Sequence, residues 1–147
     1  MQLTRAADYG VRAMIHLANT SPGVRASLTD LADAAEVSPA FLSKVLQRLV
    51  KAGLVASRRG KRGGFELRDR ARAASLMEIL SALDGVPALN QCLNGHGCSR
   101  SSWCAAHTVW LEAQERMRDV LLGSTLDGLA RESQERRTAL PMRIGQA

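Results

Sequence analysis

The chain has 147 residues, the length of one domain with an appended element, which excludes a multi-domain enzyme. Apolar residues make up 46% and charged residues 23%, so a core is expected; aromatics at 3% leave little for a single-strand stacking platform, and a duplex partner is easier to defend. The net charge is +6, but residues 1–72 hold 13 Lys and Arg against 6 Asp and Glu while residues 73–147 hold 7 against 8, so the basic excess belongs to the first half and suits a polyanion there.

In chain order, Ala6, Ala7, Val11, Met14, Leu17 and Ala18 repeat at helical spacing and predict a first helix over residues 4–19, ended by Ser21-Pro-Gly23. Ser27-Leu-Thr-Asp30 has the form of a capping box and opens a short helix, followed by a tight turn at Glu36-Val37. Ser38-Pro39 is a strong helix start, and the third helix sets Phe41, Leu42, Val45, Leu46, Leu49 and Val50 on one face and Ser43, Lys44, Gln47, Arg48 and Lys51 off it, with Gly53 as its stop. Leu54–Ala56 and Phe65–Leu67 read as strands flanking the glycine-bearing turn Arg59–Gly64, a basic hairpin. A second capping box, Ser75-Leu-Met-Glu78, launches a helix that stops at Asp84-Gly85. Beyond a linker over residues 86–97, Val109, Trp110, Ala113, Met117, Val120 and Leu121 predict a long helix from about Ser102 to Leu122. Residues 132–147 lose periodicity and are expected to be a mobile tail.

Two helices around a tight turn, then a basic hairpin, is the order of a winged helix-turn-helix, so the fold class is mainly α with a small β-hairpin wing. Ser38, Ser43, Lys44 and Gln47 are the candidates for base edges and phosphates, and Arg59, Lys61 and Arg62 of the wing for phosphates or the minor groove. Gly60, Gly63 and Gly64 are expected to let the wing turn sharply and approach DNA closely. The long helix carries more apolar surface than one small head can cover and calls for a partner, making it the dimerisation element.

Cys92, Cys98 and Cys104 follow a C-x5-C-x5-C pattern, and His107 comes three residues later on the same helical face as Cys104. Gly95 and Gly97 make the intervening loop pliable, while Arg100 and the helix start near Ser102 favour an anionic centre. Zinc also accepts three Cys and one His, but structural zinc usually has a short C-x2-4-C pair, absent here; the spacing leans toward iron–sulfur, with zinc, a thiol–disulfide switch and a metal-independent DNA binder with incidental thiols as the alternatives. His96 is expected to be solvent-exposed, His16 a core or surface histidine, and Trp103 and Trp110 packing residues around the loop and helix interface. No C-x-x-C, G-x-S-x-G, G-x-G-x-x-G or P-loop order occurs, which argues against an enzyme.

Met1-Gln-Leu-Thr4, Asp8-Tyr-Gly10, Leu46-Gln-Arg-Leu49, Lys51-Ala-Gly-Leu-Val55 and Arg59-Gly-Lys-Arg-Gly-Gly64 resemble the Rrf2 family of bacterial winged-helix transcription regulators over about residues 1–130. The resemblance implies a homodimer, acting as a repressor or activator, whose winged heads read a palindromic operator in double-stranded DNA and whose long helices cross at the interface. It also implies an iron–sulfur cluster on Cys92, Cys98 and Cys104 that senses nitric oxide, redox state or iron–sulfur status. Two cluster-binding branches differ in the fourth ligand: His107 matches the one with a 2Fe-2S cluster, and Asp8, reaching across from the other subunit, matches the one with a 4Fe-4S cluster. The N-terminal and wing residues tip the choice slightly toward Asp8 and 4Fe-4S. The expected organisation is a DNA-binding head over 1–85, a cluster loop over 86–104, a dimerisation helix with a short following helix over 105–131, and the tail. No apolar run is long enough for a membrane helix, and Arg5, Asp8 and Arg12 oppose a secretory signal, so a cytoplasmic protein is expected.

Overall fold

The computed structural model describes residues 3–60, 63–95 and 97–139. Helix α1 (Arg5–Asn19) starts where the Thr4 hydroxyl accepts the amide of Ala7. Helix α2 (Leu28–Ala35) starts on a complete capping box: the Ser27 hydroxyl accepts the Asp30 amide at 3.1 Å and the Asp30 carboxylate accepts the Ser27 amide at 3.2 Å. It ends at Glu36, the one non-glycine residue with positive φ (58°) among the described residues. That left-handed residue makes the turn, and Ser38-Pro39 restarts the chain at once as α3 (Pro39–Lys51).

Strands β1 (Val55–Arg58) and β2 (Gly64–Leu67) pair antiparallel, with Val55 opposite Leu67 and Arg58 opposite Gly64. Ala26 adds a bridge to Phe65, bonded in both directions at 2.9 and 3.0 Å. The bridge explains Gly64, whose φ is +139° and whose added Cβ would lie 2.7 Å from the Ala26 carbonyl oxygen. Protein backbone, rather than DNA, occupies the space a side chain would need there.

Helix α4 (Leu76–Asp84) is capped by Ser75 and followed by Gly85 at φ +83°. A short 3₁₀ turn (Gln91–Leu93) precedes α5 (Ala105–Gly123), and α6 (Leu126–Ala139) follows it. Leu76 donates to the Ser124 carbonyl at 2.7 Å and Leu126 to that of Ala74 at 2.9 Å, pinning the end of α5 beside the start of α4. The two helices therefore run antiparallel, and α5, 19 residues against 9, overhangs the far end of α4.

The core draws on every helix except α5: Met14, Leu17, Leu31, Leu42, Leu46, Leu49, Leu54, Ile79 and Leu83 pack together, joined by Leu126 and Ala130 of α6. Gly10 is where α1 meets α3 and α4, since a Cβ there would lie 2.5 Å from Leu83 Cδ1 and 3.1 Å from Val45 Cγ1. Two expectations change. Residues 132–139 are helical rather than a mobile tail, because Leu126 and Ala130 anchor α6 against α1 and Glu132 pairs with Arg136 one turn on. Residues 99–103 form turns and Cys104 is the N-cap, so the long helix starts at Ala105 instead of about Ser102. The rest of the expected tail, 140–147, lies outside the described residues.

Candidate functional site

Burial of Leu42, Val45, Leu46 and Leu49 fixes the roll of α3 and leaves Ser38, Lys44 and Gln47 exposed, with Ser43 half-buried. Ser38 also spends its hydroxyl on the amide of Phe41. Tyr9 packs edge-on to Phe41 at 5.8 Å, setting the start of α3 against α1. Arg58 and Arg59 are exposed at the wing, while Lys61 and Arg62 lie outside the described residues. The exposed faces of α3 and the wing thus present cations and hydrogen-bonding groups of the kind that meet phosphates and base edges.

Cys92, Cys98 and Cys104 are all free and half-buried. Cys92 sits in the 3₁₀ turn and Cys104 is the N-cap of α5, making no side-chain capping bond. The three thiols and His107 line one open cavity of about 750 Å³, together with Arg100 and Trp110. His107 stands in the first turn of α5 with its Nδ1 buried and unpartnered among the described residues. A buried nitrogen without a partner is costly unless something binds it. No three His, Cys, Asp or Glu groups among the described residues converge as tightly as a single ion requires. Three thiols and an imidazole lining one cavity are donors that either an iron–sulfur cluster or a zinc ion accepts.

Asp8, the other candidate ligand, is outside this cavity: its carboxylate pairs with Arg12 at 3.1 Å, and Arg12 also reaches Glu36 at 3.7 Å and lies over the Tyr9 ring. His16 lines a separate cleft between α1 and α6, and His96 lies outside the described residues. Trp110 lines the cysteine cavity as packing around the loop requires, but Trp103 is 71% exposed in the single chain. Among titratable groups, Asp30 is held below its usual carboxylate value by the hydroxyl of Ser27 and then by its backbone amide.

Sequence reasoning missed three polar side chains that organise the site. Arg48, grouped with the polar face of α3, turns toward α4 and donates to the Leu83 carbonyl at 2.7 Å. Arg70 donates to the carbonyls of Ala52 and Gly53 beyond α3 and to Glu78 of α4, clamping the end of α3. Gln114 of α5 holds the linker through Pro87 and Leu89. An arginine one or two turns from a helix end is the only local signal available for the first.

Comparison with known proteins agrees with this architecture. The Rrf2 family profile, described as an iron-dependent transcriptional regulator, matches residues 3–132. The HTH-type transcriptional regulator IscR of Pectobacterium carotovorum is 34% identical over 129 residues, covering 88% of this chain and 79% of that protein. The structure of T. potens IscR superposes with a TM-score of 0.75 at 26% identity, over 96% of this chain and 94% of that one. CymR, the global cysteine regulator of B. subtilis, superposes with a TM-score of 0.74 at 26% identity, over 90% and 98%. These relatives are transcriptional regulators, not enzymes, and among the described residues no helix is long and apolar enough to cross a membrane. With its profile match spanning nearly the whole chain and its winged-helix architecture shared, the protein is an IscR-like transcriptional regulator belonging to the Rrf2 family.

Proposed function

We propose that this regulator is a homodimer that reads a palindromic operator in double-stranded DNA, under the control of an iron–sulfur cluster held by Cys92, Cys98, Cys104 and His107. The observation that carries the reading is the unpartnered Nδ1 of His107 in the cavity lined by the three free thiols. The same observation favours His107 as the fourth ligand, and with it 2Fe-2S, over an Asp8 supplied by the partner subunit, which in its own chain pairs with Arg12 at 3.1 Å. When bound, the cluster supplies a centre that responds to nitric oxide, redox state or iron–sulfur supply. The chain's own contribution is to wrap the centre in a loop with glycines at positive φ (Gly95, Gly97), to place Arg100 beside an anionic group and to partly screen it with Trp110.

Dimerisation is supported by α5, on which Val109 and Val120 are 60% and 68% exposed with half-buried Ala113 between them, one continuous apolar stripe at helical spacing. DNA reading is assigned to Ser38, Ser43, Lys44 and Gln47 on α3 and to Arg59, Lys61 and Arg62 on the wing. Arg59→Ala is expected to weaken binding equally on specific and random duplexes and to make the salt slope shallower by nearly one unit.

The deciding experiment is anaerobic purification followed by visible absorption and Mössbauer spectroscopy of wild type, His107→Ala and Asp8→Ala. The expected result is a 2Fe-2S signature disturbed by His107→Ala alone. A 4Fe-4S signature disturbed by Asp8→Ala returns the assignment to the carboxylate. Colourless protein, with zinc or with thiols that only pair on oxidation, overturns the cluster altogether.

A further inference from the structure

We infer that Arg48 is a positioning residue that ties the recognition helix to the cysteine loop, acting through the end of α4 and a linker that Gln114 holds rigid. The inference rests on the cluster-sensing function proposed for the loop and concerns how a change there reaches α3.

Arg48 lies one residue beyond the DNA-facing Gln47, yet its guanidinium points the other way. Nη1 donates to the Leu83 carbonyl at 2.7 Å and lies 3.8 Å from Asp84 Oδ1. Asp84 ends α4, where a carboxylate opposes the helix dipole and needs compensation. It receives that from two elements at once, Arg48 of α3 and the Thr4 hydroxyl at the start of α1, which donates to Oδ2 at 2.5 Å. The backbone carbonyl accepting from Arg48 is one of those an α-helix leaves unsatisfied at its C-terminus. A helix-end cap alone would explain these contacts; the coupling comes from the residues after Asp84.

Gly85 continues directly from this junction, and its amide is bound back to the Ser81 carbonyl at 3.0 Å, so the turn belongs to the helix end and is not a free pivot. Two residues on, the Gln114 side chain grips the linker at both ends of a short segment: Nε2 donates to the Pro87 carbonyl at 2.9 Å, and Oε1 accepts the Leu89 amide at 2.8 Å. Cys92 is three residues further on, and Gln114 lies seven residues, two helical turns, beyond His107 on α5. Loop, α5, linker, end of α4 and recognition helix thus lie on one path in which backbone segments alternate with the side-chain hydrogen bonds of Gln114 and Arg48. Arg70 meanwhile holds the end of α3, so a pull at Arg48 rotates the helix about a fixed end. Contiguity supplies the physical path, and coupling measurements decide whether it carries the signal.

The test uses the full chain, either anaerobically reconstituted with iron and sulfide or stripped with a chelator. Two quantities are read in each state: amide hydrogen exchange over residues 44–51, and affinity for a duplex selected from a random pool by the wild type. Wild type is expected to differ between states by about fivefold or more in affinity, within the usual range of allosteric coupling. In Arg48→Ala the ratio falls to within about twofold of unity and the exchange difference over α3 shrinks with it, while iron content and visible spectrum stay those of wild type. Arg48→Lys restores part of the ratio, and Arg48→Ala with Gln114→Ala together reduces it no further than Arg48→Ala does, as expected of two links in one path. A full wild-type ratio in Arg48→Ala overturns the inference and leaves the sensing function intact. A wild type that loads its cluster yet binds equally in both states overturns both. If Arg48→Ala does not fold, Arg48→Lys and Gln114→Ala carry the same test: a reduced ratio in both supports the path, and an unchanged ratio in either overturns it.

Discussion

Helices α3 and α5 carry the same kind of apolar stripe and meet opposite fates. In α3, Leu42, Val45, Leu46 and Leu49 are all buried. Among its described residues α5 has none that is buried, although it is the longer helix by six residues. The difference lies in the surroundings of each helix, since α3 is enclosed by α1, α2, α4 and β1 while α5 rests mainly on α4, half its length. A stripe thus states that a helix must be covered and leaves open what covers it. For α3 the cover is the chain's own core; for α5 we propose a second copy.

The sharpest way to test that contrast is to truncate the covered stripe. Leu46→Ala is expected to cost about 2–5 kcal/mol, read from denaturant unfolding, because a fully buried leucine leaves a cavity among rigid neighbours. A cost near zero would mean that the head is not packed as described. Next in size is Gly10→Ala: the methyl would meet Leu83 at 2.5 Å, so overpacking of about 1–3 kcal/mol is expected by the same measurement. Leu83 must shift, and that shift is detectable as altered exchange of the α4 amides.

Ser27→Ala is a smaller break in the head, about 1 kcal/mol, for loss of the α2 cap. Its pH dependence is specific. Asp30 titrates below its ordinary value of 3.8 because Ser27 stabilises the charged form. A lowered folded-state value means that the contribution is fully present above the unfolded value and is lost as pH falls through the folded one. Unfolding curves of wild type and Ser27→Ala should therefore converge as pH drops below about 3.8. Parallel curves down to lower pH would assign the cap's effect to the hydroxyl alone.

The smallest effect on the fold is expected from α5, where Val109→Glu and Val120→Glu should change single-chain stability by no more than about 0.5 kcal/mol, as exposed positions do. Their consequence appears in association: sedimentation should report a monomer, and operator affinity should collapse because two half-sites about 34–36 Å apart need two linked heads. An intact dimer carrying both changes would refute the role given to α5.

Much of the site was legible residue by residue. Ser27, Ser38 and Ser75 cap helices through bonds spanning three residues, and that geometry is written in local sequence. The C-x5-C-x5-C spacing marked the loop, and the polar face of α3 was readable from the gaps in its stripe. Arg48 lies off the stripe as read, but its bond to α4 was not legible, because only the position of α4 decides which way a long flexible side chain turns. Gly64 was credited to DNA approach when Ala26, nearly forty residues earlier, sets the constraint.

By itself, then, the sequence determined where the capped helices α2, α3 and α4 start, which faces are apolar, where the basic hairpin lies and which residues are candidate metal ligands, because these depend on hydrogen bonds and periodicities spanning a few residues. Tertiary structure alone decided that α6 packs back onto α1 and keeps its helix past residue 132, that α5 stands clear of the core, and that three thiols and His107 share one cavity while Asp8 pairs with Arg12. Each of those outcomes depends on contacts between segments tens of residues apart, whose energies emerge only when the whole core is assembled and its competing pairings are settled together.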